Sequence, residues 1–114
     1  MRRVIVESPY AGEIETNVAY ARAAVRDSLQ RGEAPIASHL LYTQPGILRD
    51  EVEEERNWGI EAGLVWRAAA AAGVFYVDRG WSKGMLFARE LYIAAGIPIE
   101  ERSLPDWRSQ SPSG

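Results

Sequence analysis

The stretch DRGWSKGM, residues 78–85, holds the residue types best suited to chemistry in this chain. The run before it (74–77) is β-branched and aromatic and predicts a strand. The positions after it, Met85, Leu86, Leu91, Tyr92 and Ala95, share one helix face, and Gly96 closes that helix as a left-handed terminator. Asp78 and Gly80 then make the turn, Trp81 projects from it, and Ser82 stands as the helix N-cap. The uncapped N–H groups of Lys83 and Gly84 offer a phosphate cradle, with the Lys83 ammonium as counter-charge. Capping alone accounts for Ser82 equally well.

Two further loops are expected at the same edge. Ser8, Pro9, Tyr10, Ala11 and Gly12 join a first strand (4–6) to a first helix, whose start suits an anion while Tyr10 suits stacking on a base. His39, the single histidine of the chain, stands at the end of a second strand. It is a ligand contact, a general base, or a structural residue. Arg56 is a candidate anion partner, and Glu61 lies on the same helix. The acidic run Glu51, Glu53, Glu54 and Glu55 at that helix start is explained by the macrodipole before any metal is invoked. Gly59 and Gly63, flanked by Trp58 and Trp66, form a smooth stripe. Glycine costs a helix about 1 kcal/mol against alanine, so close approach of another element must offset it. A subunit interface is the expectation, with packing inside the chain as the alternative.

The elements that must position these residues alternate along the chain. Strand 4–6 is followed by a helix from Glu13 with Ile14, Val18, Ala21, Val25 and Leu29 inward and Gly32 as terminator. Residues 35–42 predict a second strand running into a loop, 43–49. Asp50 is a candidate N-cap with Glu53 three positions on, opening a helix to about Ala72 whose second half is buried in character and which Gly73 ends. After the last helix, 97–99 predicts an edge strand, since Pro98 cannot donate to a ladder. The tail from Pro105 is Ser- and Pro-rich and expected to be flexible, with Trp107 a candidate to dock. Alternation of this kind predicts a doubly wound (Rossmann-like) α/β fold: a parallel sheet of about four strands, order 2-1-3-4, with about three main helices. Ligands of such sheets bind beyond the carboxyl ends of the strands.

The 114 residues suffice for one domain, 1–104, and the formal charge of −3 argues against a nucleic-acid partner. No apolar run is long enough to span a membrane. With no cysteine, thiolate catalysis and Cys-based zinc sites are excluded. No metal or organic cofactor is called for, and a cytoplasmic location is the expectation.

The strand–SPYAG–helix start, the SHLLYTQPG…EERNWGIEAG middle and the DRGWSKGM…AGIPIEERSL end together resemble one group over nearly the whole chain. It comprises small, often phage-borne proteins related to nucleoside 2-deoxyribosyltransferases and the wider SLOG-type Rossmann group. The resemblance implies a nucleotide-type small-molecule ligand, and the Gly59/Gly63 helix face suggests a homo-oligomer, dimer or larger. Enzymes of that superfamily cleave N-glycosidic bonds with a glutamate in an E-x-G motif at the start of the helix after the third strand. Here the triplet is Ser82-Lys83-Gly84: the glycine matches and the nucleophile position holds serine. The resemblance therefore implies binding of a nucleotide or ADP-ribose-type molecule without turnover, for example as a phage sponge for a host immune signal in the host cytoplasm. The alternative is an N-glycosidic or phosphodiester hydrolase, or a deoxyribosyltransferase, using His39, Glu61 or Asp78.

Overall fold

The computed structural model describes residues 1–107. Its four strands are β1 (Arg3–Glu7), β2 (Ala34–Ile36), β3 (Ala72–Tyr76) and β4 (Ile99–Arg102), and its helices α1 (Ile14–Gln30), α2 (Ser38–Leu41), α3 (Glu53–Ala68) and α4 (Lys83–Ala95). All strand pairs are parallel, in the order β2-β1-β3-β4. That is the expected order, and it sets the switch point between β1 and its two neighbours.

Alternation along the central strands divides the core in two. Val4, Val6, Val74 and Tyr76 face α1 and pack with Tyr20 and Ala24, while Leu104 and Trp107 close the margin. Ile5 and Phe75 face the other way, against Met85, Ala88 and Tyr92 of α4. Gly73, expected to end a helix, lies inside β3, where a Cβ would stand only 2.6 Å from the Tyr92 ring. The close approach of that ring, not a left-handed turn, calls for glycine there.

Several expected elements shift. The second strand is three residues long, and Ser38–Leu41 turns into a short helix. α3 starts at Glu53 without a side-chain cap, so Asp50 is not its N-cap, and it ends at Ala68. The alanine run that reads as helix is shared with a loop and the start of β3. The second half of α3 is not buried: Leu64, Val65 and Trp66 are 38, 71 and 43% exposed. On α1, Ile14 and Leu29 are exposed, and the inward residues are Asn17, Tyr20, Ala21, Ala24 and Ser28. On α4, Leu86 and Ala95 are exposed, whereas Met85, Ala88 and Tyr92 are buried. β4 begins at Ile99 and is an edge strand. The C-terminal tail beyond Trp107 lies outside the described residues, and Trp107 itself packs edge-on against Tyr20 with ring centroids 4.9 Å apart.

The α1 face carries a buried polar network. Glu33 accepts from both guanidinium ends of Arg102 at 2.7 and 2.8 Å, from Arg2 at 2.9 Å and from the Ser28 hydroxyl at 2.8 Å. These bonds hold the Glu33 carboxyl well down, at about 2, with the Arg102 bond the largest cause. Among the described residues no helix is long and apolar enough to cross a membrane.

Candidate functional site

Two hollows meet at the carboxyl ends of the strands. The first, of about 370 Å³, is lined by Glu7 and Ser8 at the end of β1, Tyr10 and Ala11, Ser38 and His39 of α2, Arg67 of α3, and Ser82 to Met85. The second, of about 220 Å³, runs on between α2, α3 and α4. It shares Tyr10, Ser38, His39, Arg67 and Gly84 with the first and adds Tyr42, Leu48, Ile60, Phe87, Asp50 and Arg56. Together they make one cleft with a polar lobe against the start of α4 and a more apolar lobe along α3.

The start of α4 is built as the sequence predicts. Gly80 turns the chain at φ +86°, Ser82 is extended, and its hydroxyl accepts the Met85 N–H at 3.2 Å. The first N–H groups of a helix have no acceptor within it, so those of Lys83 and Gly84 remain at the cleft that both residues line. The helix-start position expected to hold a nucleophilic glutamate therefore holds Ser82, with its hydroxyl engaged as the cap.

Opposite α4, Ser8 and His39 meet, with Oγ and Nε2 3.1 Å apart. Tyr10 stands edge-on to the imidazole, the centroids 6.0 Å apart. Burial lowers the His39 pKa; nearby Glu7 pulls it up and Arg67 lowers it further. Beneath them lies a buried ion pair. Arg67 donates to the two Glu7 carboxylate oxygens at 2.8 and 3.2 Å, and the Tyr92 hydroxyl donates to Glu7 at 2.5 Å. Glu7 is only 6% exposed. A buried carboxylate so tightly partnered fixes the cleft floor and sets its field.

Of the expected ligand residues, Ser8, Tyr10, His39, Arg56, Ser82, Lys83 and Gly84 line the cleft. Pro9, Gly12, Asp78, Gly80 and Trp81 are not among its lining residues. Asp78 instead ties the end of β3 to the α1 side, accepting from Tyr20 at 2.6 Å, from Ser103 at 2.5 Å and from the Leu104 N–H at 2.8 Å. Trp81 does not project: it stacks on Phe75 with centroids 5.1 Å apart. Glu61 is exposed and outside the cleft. Gly59 and Gly63 line the apolar lobe, where a Cβ would meet Leu48 at 3.1 Å and Ser38 at 3.5 Å respectively. Only Gly59 permits a close approach within the chain, to Leu48; at Gly63 a Cβ would make ordinary contact, and Trp58 and Trp66 remain exposed.

Glu7 and Arg67 escape sequence reading. A charge ending an apolar strand reads as its solvated end, and its partner is 60 positions away. The one available signal is that the carboxyl end of β1 is the switch point itself. Among the described residues no group of three or more His, Asp or Glu could hold a metal ion.

The family model described as "Domain of unknown function (DUF7768)" matches residues 2–102. No curated protein is significantly similar to the chain. Among solved structures it is similar to a 2-deoxyribosyltransferase from the psychrotolerant bacterium Bacillus psychrosaccharolyticus. The two are 19% identical with a TM-score of 0.59 over 89% of this chain and 72% of that one. The likeness is one of fold.

Proposed function

We propose that this chain, which belongs to the DUF7768 family, binds a nucleotide-type small molecule in the cleft between β1, α2, α3 and α4. One observation carries the reading: a polar lobe at a helix start with Lys83 runs directly into an apolar lobe with Tyr42, Leu48, Ile60 and Phe87. A phosphate suits the first and a planar base the second. The shared fold with an enzyme described as a biocatalyst for nucleoside synthesis supports the same ligand class.

That likeness favours turnover, by N-glycosidic or phosphodiester cleavage, over storage. Storage without turnover, as in a phage sponge for a host nucleotide signal, is favoured by one observation, the serine at the α4 start. Heat-denaturing the purified protein after incubation with AMP, deoxynucleotides, ADP-ribose and cyclic nucleotides, and weighing what is released, separates the two. An intact molecule means storage; a free base, sugar phosphate or linear product means catalysis. Lys83→Ala should weaken phosphorylated ligands roughly 10- to 100-fold, the worth of a charge-assisted hydrogen bond, and nucleosides far less. Equal losses for both would sink the phosphate assignment.

A second copy of the chain is the proposed cover for exposed apolar residues of α3 and α4 outside the cleft, Trp58, Val65, Leu86 and Ile93.

A further inference from the structure

We propose that Ser8 and His39 are a nucleophile and its general base, and that the cleft cleaves phosphoesters of the nucleotide-type ligand through a phosphoserine intermediate. The inference rests on the ligand class given above but not on the helix-start position, where the catalytic carboxylate was sought.

Three arrangements converge on it. Ser8 Oγ and His39 Nε2 are 3.1 Å apart, the reach a nucleophile–base pair needs, and both line the polar lobe. Ser8 directly follows β1 at the switch point and is 7% exposed, so its hydroxyl is held by the sheet and not by a free loop. The imidazole is fixed as well: it belongs to the one-turn α2, whose backbone carbonyl at His39 accepts the Thr43 hydroxyl, and Tyr10 stands at its edge. Desolvation keeps the ring neutral at neutral pH, as a base must be, and the Glu7 carboxylate favours the imidazolium once it forms. Lys83 and Gly84 line the same lobe, and the first N–H groups of a helix, which lack acceptors within it, are donors of the kind that stabilise charge on transferring phosphoryl oxygens.

The step balances as follows. The Ser8 proton passes to His39 Nε2 as Oγ attacks phosphorus. The bond from phosphorus to the leaving oxygen breaks, and that oxygen takes the proton from His39. Water then gives a proton to His39 and attacks phosphorus, the bond to Oγ breaks, and Ser8 recovers its hydrogen. The sum is phosphoester plus water to phosphate plus alcohol. If the pair were merely structural, the serine would only satisfy a half-buried imidazole and would have ordinary hydroxyl reactivity.

The test uses the full chain and a fluorophosphonate ester, which phosphonylates an activated serine with loss of fluoride. Intact-mass spectrometry with peptide mapping should find one adduct, on Ser8. Labelling should vanish in Ser8→Ala and slow by about 100-fold or more in His39→Gln, the usual worth of a general base. Its rate should hold as the pH falls through the ordinary imidazole value of about 6.5 and drop only below it. Absence of an adduct on the folded wild type, an adduct that maps elsewhere, or unchanged labelling in His39→Gln would each overturn the proposal. Should Ser8→Ala not fold, the mapped site on the wild type decides. Equilibrium dialysis of the methylene phosphonate analogue of AMP, whose P–C bond the step cannot break, keeps the two readings apart. Analogue bound with no adduct retains the ligand class and removes the nucleophile; an adduct with no analogue bound does the reverse.

Discussion

Gly73→Ala probes how the sheet, Tyr92 and the cleft floor are joined. The new methyl would sit 2.6 Å from two atoms of the Tyr92 ring and 3.0 Å from a third, where carbon atoms prefer about 3.5 Å or more. The ring has nowhere to go. It is 1% exposed, stands edge-on to Phe75 at 5.8 Å, and its hydroxyl is committed to Glu7 at 2.5 Å. Forcing a methylene-sized group into such a core costs about 1–3 kcal/mol. Losing a hydrogen bond to a charged group costs about 1.5–3 kcal/mol more. Together, roughly 2.5–6 kcal/mol should appear in urea unfolding followed by circular dichroism, or a fall in Tm of roughly 10–25 °C for a domain of this size. Tyr92→Leu gives the control. It is destabilising alone, but in the double variant it makes room for the methyl, so the two costs should sum to less than their separate values by about 1 kcal/mol or more. Strict additivity, or a Gly73→Ala protein within about 0.5 kcal/mol of wild type, would refute the contact as the reason for glycine.

Two further outcomes are expected. The Glu33 carboxyl titrates at about 2 when folded, against an ordinary value of 4.5, so between those values the unfolded chain holds the extra proton. Stability is therefore full above about pH 4.5 and lost as pH falls toward 2, on the order of 3 kcal/mol. Acid titration of Tm should show this slope in wild type and a flatter one in Glu33→Gln; equal slopes would remove Glu33 as the cause. On the outer face of α3, Trp58→Glu combined with Val65→Glu should lower the mass found by light scattering if a second copy covers it. An unchanged mass would mean the face has another use.

The strand order is legible because short apolar runs and Gly or Pro punctuation alternate so regularly that few topologies remain. The loops at the carboxyl ends are legible for the same reason, and with them Ser8, Tyr10, His39, Ser82 and Lys83. What escapes depends on partners remote in the chain. Asn17 and Ser28 turn inward on α1 because specific acceptors await them: Asn17 donates to the Tyr10 and Ala11 carbonyls, Ser28 to Glu33. Ile14 and Leu29, apolar and at helical spacing, lie near the ends of α1 and are exposed. Gly73 follows an alanine run and so reads as a stop, since nothing local announces the Tyr92 ring. Gly59 announces a close approach without saying to what, and its neighbour, Leu48, lies on the preceding loop.

The walls of the cleft come from distant parts of the chain: Ser8 from just after the first strand, His39 from α2, Arg67 from α3 and Gly84 from α4. During synthesis the site therefore does not exist until α4 has left the ribosome and docked. A molecule held there would fasten early and late segments to each other, much as a clasp closes a strap. Binding to the finished form alone adds about 2.7 kcal/mol at a hundred times the dissociation constant. The ligand can thus be sought without knowing any reaction, by asking which metabolite in a mixture most delays melting of the whole chain.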